Sequence, residues 1–307
     1  MKRRAFLKKG INAGVIAGTA MSLGNYSKIF GSPVANPEGP YDMVAIKGGD
    51  PDFMFDRAIE SLGGMSEYVK QGQSVVVKPN IGWDAVPDRA ANTNPKLVTR
   101  IIEHCYDAGA KDVFVFDNTC DEWTKTYQNS GIEKAVLDAG GKIVPGNVEK
   151  YYREIEIPEG KKLKTAKVHE LILDSDVFIN VPILKSHSST RVTIAMKNLM
   201  GIVWDRMFWH RNDLHQCIAD CATVCKPDLN IVDAYNVMIE NGPRGVSVDD
   251  VVAMKQQLIS NDIVAIDAAA TKVFGIEPEE VNYIVIADEM GIGNRNLKEL
   301  SINRIII

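Results

Sequence analysis

The sequence predicts an α/β fold: a mostly parallel sheet with helices on both faces, three layers deep, with an irregular insertion at about 183–227. Three observations carry this. From residue 41 onward, short Val- and Ile-rich runs alternate with amphipathic segments, the order of strands and helices in an α/β domain. The run "DVFINVPIL" (176–184) is almost continuously apolar, as a strand buried on both faces must be. Strand after strand also ends in polar residues, the place where parallel sheets gather ligands.

The elements follow in order. "SVVVKPN" (74–80) reads as a strand stopped by Pro79. "NPKLVTRIIEHCYDAGA" (94–110) reads as a helix capped by Asn94, with Pro95 in its first turn and Gly109 at its end. Leu97, Val98, Ile101, Ile102 and Cys105 recur on one face, so Cys105 belongs to the core. "DVFVFDN" (112–118) is the next strand, and Ser130 with Glu133 forms a capping-box pattern opening a helix through Asp138. A strand at "KIVP", an edge strand at "REIEI" and the buried strand at 176–184 follow. Helices at roughly 191–200 and 212–224, strands at "LNIVDA" and "QQLIS", helices at 262–274 and 278–290, and a terminal strand "SINRIII" complete the reading. No repeat or linker interrupts residues 36–307, so they are expected to form a single domain.

The formal charge of −5 conceals an asymmetry. The first 31 residues carry six Lys or Arg and no Asp or Glu, which leaves the rest of the chain near −11. An acidic body repels a phosphate backbone, which argues against nucleic acid as a partner. The basic start leads into the 15-residue apolar run "GINAGVIAGTAMSLG", shorter than the roughly 18 residues of a membrane span. "RRAFLKK", with Arg3 and Arg4 ahead of Phe6, Leu7 and Lys8, resembles a twin-arginine export signal over residues 1–35. The implied partner is the twin-arginine export machinery, and the implied location is the periplasm or the outer face of the cytoplasmic membrane. "SPVAN" is the candidate cleavage site; cleavage and retention as a signal anchor both stay open.

The candidate site is built from the polar strand ends. Lys78 and Asn80 follow "SVVV", Asp117 and Asn118 follow "VFVF", Lys185 and His187 follow "VFINVPIL", and Asp233 follows "LNIV". Parallel strands bring these ends into one cleft. "SSTRVTIAMKNLMG" adds Ser188 and other hydroxyls at the predicted start of a helix, where unpaired N–H groups favour an anion, with Lys197, Asn198 and Arg206 close by. The expected ligand is therefore a small anionic molecule. Its predicted contacts are Lys78, Asn80, Lys185, Ser188, Lys197, Asn198, Arg206, His210, Arg211 and Asn241 of the "NGPRG" loop. His187 or His215 is expected to move a proton, and Asp117 or Asp233 to orient that base or bind a divalent ion.

"HRNDLHQCIADCATVC" (210–225) invites a metal reading, but a straight helix spreads its three cysteines along about 12 Å and turns His215 about 160° from Cys221. The cysteines are expected to be buried apolar side chains instead. A divalent metal stays open as a cofactor.

The segments "VVVKPNIGW", "TNPKLV", "AGAKDVFVFDN", "DVFINVPILKSH", "MKNLMG", "HRNDLHQCIAD", "PDLNIVDA", "NGPRG" and "NDIVAIDAAA" together resemble the domain of unknown function 362 family, in order over about residues 42–295. That resemblance implies an association with iron–sulfur proteins in some members, which carry a ferredoxin-like four-cysteine run; this sequence has none. Three functional classes remain: an exported enzyme of acid/base, metal-assisted or redox chemistry on a small anion, a non-catalytic periplasmic binding or accessory protein, and a metal or iron–sulfur electron carrier.

Overall fold

The computed structural model describes residues 28–30 and 40–307; residues 1–35, read above as resembling an export signal, fall outside them apart from 28–30. Its strands are β1 (Met43–Lys47), β2 (Ser74–Pro79), β3 (Asp112–Val115), β4 (Lys142–Ile143), β5 (Tyr152–Glu156), β6 (Thr165–His169), β7 (Val177–Val181), β8 (Ile183–His187), β9 (Arg191–Thr193), β10 (Leu229–Met238), β11 (Val251–Ser260) and β12 (Ile302–Ile306). The main sheet runs β12-β1-β11-β10-β7-β2-β3-β4. Strands β10, β7, β2, β3 and β4 pair in parallel, so their carboxyl ends open on one side. Only β11, antiparallel to both β1 and β10, breaks the pattern along that path.

Side chains alternate across each strand and feed two cores. Val44, Ile46, Val75, Val77, Val113 and Val115 meet the helices Pro51–Glu60 and Pro95–Asp107 on one face. Met43, Ala45 and Val76 face the other, toward the helices Leu214–Val224, Ile263–Phe274 and Asn282–Glu289. The sheet is thus covered on both sides, in three layers.

Local chemistry explains the boundaries that agree with the sequence. Asn94 caps the 95–107 helix by accepting from Lys96 N at 3.0 Å. Asp262 accepts from Val264 N and Ala265 N at 2.8 and 2.9 Å, and Gly275 closes that helix at φ 90°.

Other expectations need correction. The apolar run 176–184 is two strands, because Pro182 has no N–H for the ladder and the chain turns there from β7 into β8. β8 pairs in parallel with β10 and forms an antiparallel hairpin with β9. The segment 191–193 is therefore strand, and the helix begins only at Ala195. "REIEI" is not an edge of the main sheet; β5 pairs with β6 in a two-stranded sheet of its own. Ser130 ends the helix Trp123–Asn129 instead of capping the next one, whose N-cap is Gly131 at φ 74°.

Candidate functional site

Lys78 alternates onto the same face of β2 as Val76, Asn80 follows just past the strand's end, and both reach the short helix Ala195–Asn198 at Asn198. Lys78 is fully buried, with its Nζ 2.9 Å from Asp117 Oδ1 and donating at 2.9 Å to Asn198 Oδ1. Burial lowers its pKa, and Asp117 pulls it back up. Asn198 Oδ1 also accepts from Asn80 Nδ2 at 2.9 Å, while Asn198 Nδ2 donates to Asn180 Oδ1 at 2.8 Å and Asn180 Nδ2 to Asn230 Oδ1 at 2.9 Å. A ladder of amides thus crosses β2, β7 and β10 beneath the site. Gly201 closes over the ion pair: a Cβ there would lie 1.8 Å from Asp117 Oδ1 and 2.6 Å from Lys78 Nζ.

Above this floor is a cavity of about 410 Å³. Lys185, at its side, donates to Asn80 Oδ1 at 3.0 Å and to the Ala91 carbonyl, and burial pushes its pKa down to about 7. Lys197 is pushed down to about 8, again by burial first, with Arg206 and Lys78 adding repulsion. Arg206 is anchored on the Asn118 and Thr119 carbonyls at the end of β3. Burial, with Lys197 and Lys185 next in effect, drives His187 down to about 3. Its Nδ1 accepts from Ser189 N at 3.1 Å, so the neutral ring carries its proton on Nε2 and acts as a donor. His210 is lowered by burial and then by Lys197 and Arg206. Thr193 Oγ1, buried in the lining, has no hydrogen-bond partner among the described residues. The lining thus gathers Lys185, Lys197 and Arg206, while its buried carboxylate, Asp117, is already engaged by Lys78.

Of the fourteen residues expected from sequence, eight line this cavity: Asn80, Asp117, Lys185, His187, Ser188, Lys197, Arg206 and His210. Lys78 and Asn198 form its floor. The other four are not in the lining. Asp233 accepts from Asn94 N at 2.7 Å and Tyr235 N at 3.1 Å, and burial raises its carboxyl to about 6; it anchors the start of the 95–107 helix. His215 stacks on Tyr283 with ring centroids 6.1 Å apart, just behind the lining, where it hydrogen-bonds to the Ser189 backbone and adds its charge to the lowering of His187. Arg211 is exposed at the end of the helix Arg206–Arg211, and Asn241 Nδ2 ties its loop to Asp250 Oδ1 at 2.6 Å. The expected anion site at the helix start is also filled from within: Asp267 accepts from Ala195 N at 2.7 Å and Met196 N at 3.1 Å.

Sequence reasoning missed Cys120 and Thr193. Cys120 is exposed in the lining, its N–H bonded to Gly82 O at 2.8 Å, and it acts electrostatically on Lys78, Lys185 and Lys197. Nothing in the spacing of a single cysteine announces this. Cys217, Cys221 and Cys225 are buried in the core; burial and then Asp220 and Asp213 raise the Cys217 thiol, and the hydrogen bond with Cys225, followed by burial, raises that of Cys221. Among the described residues, no group of three or more His, Cys, Asp or Glu is arranged to hold a metal ion.

Comparison with known proteins finds a family match, a curated relative and similar solved structures. The family model described as "Domain of unknown function (DUF362)" matches residues 75–272. The thylakoid-associated protein sll1697 of Synechocystis sp. is 26% identical over 242 residues, covering 76% of this chain and 73% of that protein. Among solved structures, the lactate racemase apoprotein of Thermoanaerobacterium thermosaccharolyticum aligns with a TM-score of 0.49 at 12% identity, over 74% of this chain and 56% of that one. A Thermotoga maritima protein aligns with a TM-score of 0.44 at 12% identity, over 78% and 60%. The chain thus spans less than two thirds of the length of either solved chain.

Proposed function

This chain belongs to the domain of unknown function 362 family, whose description assigns no reaction, and from its own side chains we propose that it is an enzyme acting on a small anionic molecule in the cavity at the carboxyl ends of β2, β3 and β8. One observation carries the reading: Lys185 and Lys197 face the cavity from buried positions, and among the described residues neither has a carboxylate at ion-pair distance. An anionic group entering there supplies the missing countercharge in a low-dielectric setting, where such contacts are strong. Arg206, the Nε2–H of His187 and the hydroxyl of Thr193 complete a set of donors suited to a carboxylate or phosphate. Lysines displaced to near neutrality are also suited to proton transfer.

Calorimetric titration with oxalate, malonate and inorganic phosphate tests this. At least one is expected to bind, and Lys185→Ala to weaken it by roughly tenfold or more. Unchanged affinity in that variant refutes the anion site. A second reading, a binding or accessory protein without chemistry, is favoured by His187, whose low pKa makes it a fixed donor and a poor proton shuttle.

Export by the twin-arginine route belongs to the same proposal. It is supported by "RRAFLKK" ahead of a mildly apolar run and accords with a thylakoid-associated relative. Fusing residues 1–35 to a reporter tests it: replacing Arg3 and Arg4 by Lys is expected to keep the reporter in the cytoplasm.

A further inference from the structure

Three buried lysines serve the cavity, and their partners sort them. Lys78 has Asp117 Oδ1 and Asn198 Oδ1, both at 2.9 Å. Lys185 has Asn80 Oδ1 at 3.0 Å and the Ala91 carbonyl. Lys197, only 8% exposed, has the Met200 thioether at 2.8 Å as its hydrogen-bond partner and no oxygen acceptor among the described residues. An ammonium carries three donors and a thioether is a weak acceptor, so the charged form of Lys197 is poorly satisfied where the neutral amine is not. Arg206 and Lys78 repel the charged form further. Across the same cavity, the orphaned Thr193 hydroxyl awaits an acceptor, and Arg206 and Lys185 offer positive charge.

We propose that Lys197 is an imine-forming lysine whose amine attacks the carbonyl carbon of a small ligand bearing an anionic group beside that carbonyl, as in a 2-oxo acid. The Nζ lone pair forms a C–N bond, the carbonyl π pair moves to oxygen, and that oxygen takes a proton to give a carbinolamine. Loss of the hydroxyl with one further proton releases one water and leaves a C=N bond between Lys197 and the ligand. Arg206, Lys185 and Thr193 hold the anionic group and so place the carbonyl against the amine. The desolvation that leaves Lys197 near 8 keeps a usable fraction of free amine close to neutral pH.

This inference rests on the anion-site reading, and the two are separable. The full-length protein is treated with limiting glyoxylate and sodium cyanoborohydride, digested, and its lysine peptides are quantified by mass spectrometry. The expected result is carboxymethylation of Lys197 about tenfold faster than of any exposed lysine, rising as pH passes about 8 and suppressed by excess oxalate. Lys197→Arg, with an unchanged melting temperature, is expected to lose the fast site alone. Should that variant fail to fold, oxalate protection of Lys197 in the parent protein carries the test. Oxalate binding without preferential labelling of Lys197 overturns the imine and leaves the anion site standing; absence of both overturns the two together.

Discussion

Lys78 Nζ and Asp117 Oδ1 lie 2.9 Å apart with both side chains buried, so the deepest cation of the site is neutralised from within the protein. This pairing leaves Lys185, Lys197 and Arg206 as the lining cations that have no carboxylate at ion-pair distance among the described residues, and a guest must be read against those three. Four measurements follow from the arrangement.

Removing one partner of the buried pair strands the other charge. Lys78→Met and Asp117→Asn are each expected to cost about 3–5 kcal/mol in urea unfolding, with the double variant costing less than their sum. Additive losses would show that the two side chains act separately.

Gly201→Ala reverses the usual helical preference. Alanine in place of glycine normally favours a helix by about 1 kcal/mol. Here the added Cβ collides with Asp117 Oδ1 and Lys78 Nζ, so a loss of about 2–3 kcal/mol is expected from the same unfolding measurement. A stabilised Ala variant would contradict the close approach.

Anion affinity should fall as pH rises. Burial lowers Lys185 to about 7, against an ordinary 10.5. An anion held by Lys185 favours its charged form and raises it. Well below about 7 Lys185 is already protonated, so binding takes up little; above about 7 it must gain a proton, and affinity declines. Calorimetry in buffers of different ionisation enthalpy, showing proton release or no exchange at pH above 8, would oppose this assignment.

Cys120 offers a reporter. It is exposed, whereas Cys105, Cys217, Cys221 and Cys225 are buried, so one thiol of five is expected to react quickly in the native protein. Because the surrounding cations concentrate anions, its ratio of iodoacetate to iodoacetamide alkylation rates should exceed that of free cysteine by roughly tenfold at low salt, and the excess should shrink at high salt. A ratio matching free cysteine would mean that the cavity exerts no such field.

Much of the fold was legible because its signals are local. Apolar periodicity, Asn94 with Pro95, and Asp262 with Gly275 mark their helices within a few residues. What escaped carries no clear periodic signal of its own. β6 becomes a strand by pairing with β5, and the helix Trp123–Asn129 buries only Thr126 and Tyr127, too little for a visible stripe. The polar ends of β2, β3 and β8 were readable as a site because parallel strands share a direction. Asp233 ends a strand in the same way, yet its carboxylate turns to Asn94 N, a choice no sequence spacing records. The Thr193 hydroxyl acquires meaning only once its partnerless state is known.

The break at Pro182 reaches beyond topology. β7 is flanked by β10 and β2, whereas β8 continues beside β10 with only the three-residue β9 on its other edge. The cavity is therefore anchored unevenly, with Lys78 and Asn80 set in the interior of the sheet and Lys185 and His187 carried by a peripheral hairpin. A change in β9 therefore reaches the cavity only through one flank of β8, whereas a change beside Lys78 strikes a strand braced on both sides by β7 and β3.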